Sequence, residues 1–275
     1  MRLVSYSSDR GIRAGVLRDG SVFDAGESIR DLLAHDSLES IEASVTGDGL
    51  PLSHVALAPP VPDPDKIVCI GLNYRSHAEE AGIDPPATPT FFAKFRNALV
   101  AHGREVALPQ SSGKVDYEAE VAFVIGRRCH EVDEEEALDH VAGYTLLNDL
   151  SARDLQFATP QWMPGKVFDG SAPCGPALVT PDEAGPHDAI EIALELNGET
   201  MQSASTADLI FSVPALVAHL SRLMTLEPGD IVSTGTPAGV GSTRQPRVWL
   251  KPGDEIAVTS PTLGRLETRI AEARS

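Results

Sequence analysis

The chain is short of the residues that several classes of protein require. It has three cysteines in 275 residues, Cys69, Cys129 and Cys174, odd in number and far apart. That spacing supplies neither a disulfide framework nor a Cys/His zinc site, so reduced, packed thiols in a cytoplasmic setting are expected. Lysine and arginine total 22 against 40 aspartates and glutamates, a net charge of −18. Sequence-independent nucleic-acid binding needs clustered basic residues, so no nucleic acid is expected as a partner. The same charge argues against anionic membrane surfaces. A small anionic substrate stays open, because it needs only a local cationic site. No apolar run approaches the roughly 20 residues of a membrane span. The opening MRLVSYSSDRG carries no apolar core of a signal peptide, and none is expected.

What is present is ordinary globular composition, 42% hydrophobic, enough for a core in one large domain with or without a small appendage. RLVSYS, RAGVL and SVFDA read as short strands, followed by a helix near SIRDLLAH with Ser28 as N-cap. The run APPVPDPD, residues 58–65, holds four prolines and cannot join a central sheet or helix interior. It reads as a linker, dividing a small N-terminal α/β module (1–60) from a main domain (61–275). In the main domain KIVCIG reads as a buried strand, and NYRSHAEEAG as a short helix closed by Gly82. Extended segments dominate thereafter, with a hairpin signal in NGET. Two helices are expected, near DEEEALDHV with Asp133 as cap and near VPALVAHLSRLM. Helix and strand do not alternate regularly, so a mostly β, α+β architecture fits better than a doubly wound parallel sheet.

VDYEAEVAF, residues 115–123, alternates with the period of a strand. One face is apolar, and the other is led by Asp116, Glu118 and Glu120. Like charges in a dry place do not stay ionised without help. Asp149 closes another apolar strand in YTLLNDLSARDLQ. Glu118, Glu120 and Asp149 would make an all-oxygen site suited to Mg²⁺, Mn²⁺ or Ca²⁺ rather than zinc. Taken alone, the E-x-E pair equally fits a solvated strand face or pairing with Lys or Arg.

Other polar residues keep company with these. In SARDLQ, Ser151 and Asp154 have the spacing of a capping box. Arg153 and Gln156 would share one helix face, where a guanidinium fork and an amide suit a carboxylate substrate. His77 and Glu80, three apart on the short helix, form a possible base pair, and the Gly- and Pro-rich flank AGIDPPATPT would suit a lid. Lys166, between turn formers, would reach a ligand oxyanion or point to water. TGTPAGVG, residues 234–241, is neither a P-loop nor a dinucleotide fingerprint, but its glycines would let backbone N–H groups approach an anion.

The ordered set VDYEAEVAFVIG, GYTLLNDLSARDLQ, GKVFDGSAPCGP and LEPGDIVSTGTPAGVG, with NYRSHAEEAG upstream, resembles the fumarylacetoacetate hydrolase family over roughly residues 63–270. It is most similar to bacterial single-chain acylpyruvate hydrolases and 2-hydroxyhepta-2,4-diene-dioate isomerases. The resemblance implies a mixed β-roll or sandwich-like catalytic domain, a small N-terminal β-rich domain and a homodimer. It implies Mg²⁺ or Mn²⁺ at Glu118, Glu120 and Asp149. It places His77 and Glu80 as a water-activating pair, Lys166 as an oxyanion contact, Arg153 and Gln156 as substrate contacts, and Thr236 at the substrate carboxylate. Asp116 is given a supporting role only.

The expected activity is hydrolysis of a C–C bond in a 2,4-diketo acid of the acylpyruvate type, through a metal-stabilised pyruvate enolate. Oxaloacetate decarboxylation and isomerisation of a hydroxy-diene acid would use the same enolate and stay open. So does a reading of another class, a metal-stabilised dimer that binds a 2-oxo acid without turning it over.

Overall fold

Valine, isoleucine and leucine in alternation commit more of the chain to strands than to helices. The computed structural model describes residues 1–35, 38–45 and 47–273 and sets those strands in two principal sheets. The larger has twelve strands among the described residues. Its path runs Leu50–Pro51, Ser21–Gly26, Gly11–Arg18, Arg2–Ser8, Ala172–Val179, Val141–Asn148, Ala119–Ile125, Ile231–Ser233, Ile67–Gly71 and Thr90–Lys94. Pairing along it is antiparallel except where Ile231–Ser233 meets Ile67–Gly71. The second sheet orders Glu199–Ser205, Glu191–Leu196, Glu255–Ser260, Gly264–Ala271 and Arg104–Ala107. The architecture is mostly β, as expected.

The central strands Ala119–Ile125 and Val141–Asn148 are buried at every position. Alternation sorts their side chains between two cores. Val121, Phe123, Tyr144 and Leu146 face Leu194 and Val258 of the second sheet, while Ala122, Val124 and Leu147 face the opposite side with Leu3 and Leu178. The helix Val213–Leu223 lays Val213, Leu216, Val217 and Leu220 into the first core, a spacing that follows the 3.6-residue turn. Cys69, Cys129 and Cys174 are buried free thiols.

Most local expectations hold. Ile29–His35 is a helix, and Ser28 Oγ accepts from the Asp31 N–H. Arg75–Ala81 is a helix closed by Gly82 in the left-handed region. Asn197 and Gly198, both at positive φ, turn the NGET hairpin. Three expectations fail. The segment around 133–141 forms only a 3-10 turn, Ala137–His140, because the buried strand starts at Val141 and leaves no room for a longer helix. Asp133 pairs with Arg222 (3.3 Å) rather than capping. Ser151 and Asp154 form no capping box. Ser151 Oγ donates to the Asp149 carbonyl, and Asp154 accepts from Ser112 and Gly113. Finally, 115–123 is not one strand. Val115–Asp116 pairs with Ser151–Ala152, and the chain re-enters the large sheet at Ala119. The break at Tyr117–Glu118 is stitched by side chains instead: the Glu118 N–H donates to Asn148 Oδ1 at 3.0 Å.

Candidate active site

The register of the two central strands builds the acidic cluster. Ala119 lies opposite Asn148, so Glu118 and Asp149 meet at the strand ends, where the Asp149 N–H donates to the Glu118 carbonyl at 2.9 Å. Glu118, Glu120 and Asp149 are all buried, and one oxygen from each lies within 4.8 Å of the others. Three buried cations answer them. Lys166 Nζ is 2.7 Å from Glu118 and 2.8 Å from Asp149. Lys94 Nζ is 2.7 Å from Asp149, and Arg153 Nη1 is 2.6 Å from Glu118.

Among the described residues Glu120 forms no ion pair, and its carboxylate accepts from the Ser233 hydroxyl and the Gly235 N–H. Burial, with the charges of Asp149 and Glu118, pushes its carboxyl well above the usual range. Burial alone would raise Glu118 too, but Lys166 and Arg153 outweigh it and hold that carboxyl down. An all-oxygen, partly uncompensated donor set of this kind fits a hard divalent cation. These residues could hold one, and its charge would remove the repulsion the sequence posed.

Asp116 has a larger part than its sequence position implied. Its carboxylate accepts from Arg153 Nε (2.9 Å) and from the Gly241 and Ser242 N–H groups (2.7 and 3.0 Å). It fixes the guanidinium against the turn Gly241–Thr243. A Cβ on Gly241 would come within 2.1 Å of the Val248 carbonyl, so only glycine allows that approach. Arg153 Nη1 also donates to Gln156 Oε1 at 2.9 Å.

His77 Nδ1 lies 3.6 Å from Glu80 Oε2. Burial lowers the His77 pKa, against the opposing charges of Glu118 and Glu80. Glu80 in turn accepts from the Gly239 N–H at 3.0 and 3.1 Å. The glycine turn therefore does present N–H groups to anions, but Glu120, Glu80 and Asp116 take those of Gly235, Gly239 and Gly241. Thr236 Oγ1 donates to the Ala119 carbonyl (3.0 Å) and accepts from Gln202 Nε2 (2.8 Å).

His77, Glu118, Glu120, Arg153, Gln156, Lys166 and Thr236 line one cavity of ≈ 160 Å³. Asp149 lies beneath it against Lys166, and Glu80 stands behind His77. Wider grooves, one of ≈ 810 Å³ along Gly103, Arg265 and Glu267, gather no comparable set. Sequence reasoning missed Lys94, Gln202 and Ser242. Lys94 carries the signal that singled out Asp149, a charge at the end of an apolar strand. Gln202 and Ser242 have no local signal, because their partners are 34 to 126 residues away.

Comparison with known proteins agrees with this geometry. The model described as fumarylacetoacetate (FAA) hydrolase C-terminal matches residues 66–271. The chain belongs to the fumarylacetoacetate hydrolase family. The bovine protein named oxaloacetate tautomerase FAHD2A, mitochondrial, is 44% identical over 80% of this chain and 71% of its own length. Among solved structures, fumarylacetoacetate hydrolase from Exiguobacterium antarcticum superposes with a TM-score of 0.86 at 32% identity, covering all of both chains. A 2-hydroxyhepta-2,4-diene-1,7-dioate isomerase from Mycobacterium marinum does so at 0.83, also at 32% identity and full coverage of both. Members of the family are thus hydrolases, isomerases and tautomerases. Among the described residues no helix is long and apolar enough to cross a membrane.

Proposed function

We propose that the chain is a divalent-cation-dependent enzyme that cleaves a C–C bond of a short 2,4-diketo acid by hydrolysis. One observation carries the reading: a half-buried His77 beside Glu80 opens onto the same small cavity as Glu118, Glu120 and Arg153. A cation held by Glu118, Glu120 and Asp149 would supply electrophilic stabilisation to the oxygens of a 2-oxo acid and its enolate. Arg153, its plane fixed by Asp116, and the Gln156 amide orient the substrate carboxylate. His77, steadied by Glu80, removes a proton from water. The oxygen of that water bonds to the distal acyl carbonyl carbon. The bond between C3 and C4 breaks, its electron pair passes to the C2–C3 enolate, and a proton returned to C3 gives pyruvate and a carboxylic acid. Lys166 sets a buried positive charge beside the developing enolate. The reading includes a homodimer, to be checked by light scattering.

A second reading is keto–enol tautomerisation of oxaloacetate, favoured by the bovine relative's name. It needs only proton transfer at His77, with no water consumed. An ultraviolet assay with Mg²⁺ on acetylpyruvate and oxaloacetate separates the two. Loss of the diketo band with stoichiometric pyruvate and acetate supports hydrolysis. Interconversion of enol and keto oxaloacetate without pyruvate from either compound supports the tautomerase. Pyruvate from oxaloacetate alone means decarboxylation.

A further inference from the structure

The charged lining of the cavity gathers at the acidic triad. Its fixed cationic lining is Arg153 and Lys166, both at the acidic triad. From there the wall turns apolar at once. The Lys166 ammonium sits 4.9 Å from the Phe92 ring centroid, and Trp162 packs edge-on against Phe92 at 6.2 Å. Gly71 lies under the same indole, where a Cβ would come within 2.4 Å of the ring. On the other side Gln156 is followed by Phe157. Phe157 is 66% and Ile83 49% exposed, large apolar side chains that nonetheless line this cavity. The hydroxyls near this end are Ser242 and Thr243, and Thr243 donates to the Val240 carbonyl.

We infer that the far end of the cavity, formed by Phe92, Trp162, Phe157 and Ile83, selects 2-oxo acids whose distal group is a short uncharged alkyl chain. It would discriminate against equally long acids that end in a second carboxylate. The inference rests on the reading above for which end of the substrate is held by Arg153. Its physical basis is independent of the reaction. Arg153 and Lys166, the fixed cations that line the cavity, are already paired with Asp116, Glu118 and Asp149, so a second carboxylate moved against the aromatic rings loses water and gains no unpaired cation, in a chain whose net charge of −18 already repels it. Volume sets a length limit as well. At ≈ 160 Å³ the cavity is smaller than the roughly 300 Å³ at the lower end for drug-sized ligands, which leaves room for a few carbons.

The test compares 2-oxohexanoate with 2-oxohexanedioate, equal in chain length and different only in the terminal carboxylate. Neither carries the 4-oxo group that hydrolysis requires, so calorimetric affinities for the Mg²⁺-loaded protein report selection whatever the reaction proves to be. The monoacid is expected to bind at least about tenfold more tightly. Phe157→Arg should move that ratio toward the diacid by about tenfold, and Ile83→Lys should do the same if the first variant does not fold. Equal affinities in the wild type, or tighter diacid binding, would overturn the inference. A ratio indifferent to both added cations would also refute it, because the rim would then not be where the distal group lies. Failure of acetylpyruvate cleavage with a preserved affinity ratio would instead remove the hydrolytic reading and leave the selection intact.

Discussion

The floor of the cavity and the helix beside it are held together in opposite ways. The floor is over-determined: Asp116, Glu118, Glu120 and Asp149 are all buried, and Arg153, Lys166 and Lys94 bridge Asp116, Glu118 and Asp149. Lys94 Nζ also reaches the Lys166 and Ser171 carbonyls, so one ammonium ties an acidic residue to the loop that carries the next cation. The helix Arg75–Ala81, which carries His77 and Glu80, is attached at a few points. Asp208 receives the Ser76 N–H and hydroxyl at 3.1 and 2.6 Å, the Leu209 carbonyl receives Arg75, and the Gly239 N–H donates to Glu80. Ala78 is its one buried residue. On the proposed reading, the groups that grip a charged substrate sit in the densely bridged floor, and the base sits on the helix with fewer attachments, as a segment that must let substrate pass would require.

Breaking the floor should have the largest effect. Asp149→Ala leaves Lys94 and Lys166 buried with one carboxylate fewer. Loss of one partner from a buried ion pair costs about 3–5 kcal/mol. The melting temperature should fall by on the order of 10 °C, and calorimetry should show Mg²⁺ binding abolished. A variant that melts like the wild type would mean the buried network is not what holds the floor. Breaking the helix's chemistry should spare the fold. For His77→Ala, turnover is expected to drop by roughly 10²–10⁴, with melting and Mg²⁺ affinity unchanged. A folded variant that keeps near-normal turnover would refute the assigned role of His77.

The attachment itself is the next target. Asp208→Ala removes the acceptor that caps the helix start from a distant loop, and a lost cap costs about 1 kcal/mol. Hydrogen exchange over residues 75–81 should quicken about fivefold while the floor strands keep their protection. Uniform exchange across both regions would erase the distinction. The smallest effect belongs to an ion pair outside both. Arg13 binds Asp24 at 2.7 Å, and that hydrogen bond, against a smaller effect of burial, lowers the Asp24 pKa. A lowered carboxylate contributes stability above its unfolded pKa and loses it as pH falls through its folded pKa. Thermal melts of wild type and Asp24→Asn should therefore differ slightly at pH 7 and converge in acid. A gap that widened in acid would show the sign to be wrong.

The legible parts of the molecule were those with local periods. Strand alternation identified the buried centre, and charges at strand ends identified Glu118, Glu120 and Asp149. Spacing by three put His77 near Glu80 and Arg153 near Gln156, and both pairs are found together. What was misread has a common cause. Ser151 and Asp154 fit a local cap, and VDYEAEVAF fits one unbroken strand, but tertiary partners outbid both patterns. Asp116 is bonded to a turn 125 residues on, and Glu118 to a side chain 30 residues on. Gln202 and Ser242 were invisible for the same reason. An isolated amide or hydroxyl has no pattern of its own until the sheet brings Thr236 or Asp116 beside it.

The most direct test is a turnover assay of acetylpyruvate by the wild-type chain, with Mg²⁺ and after its removal by a chelator, with pyruvate and acetate quantified. The proposed chemistry predicts equimolar pyruvate and acetate with Mg²⁺, loss of both on chelation, and recovery when the cation is restored. Full turnover in the chelated protein, or no acetate under any condition, would contradict it.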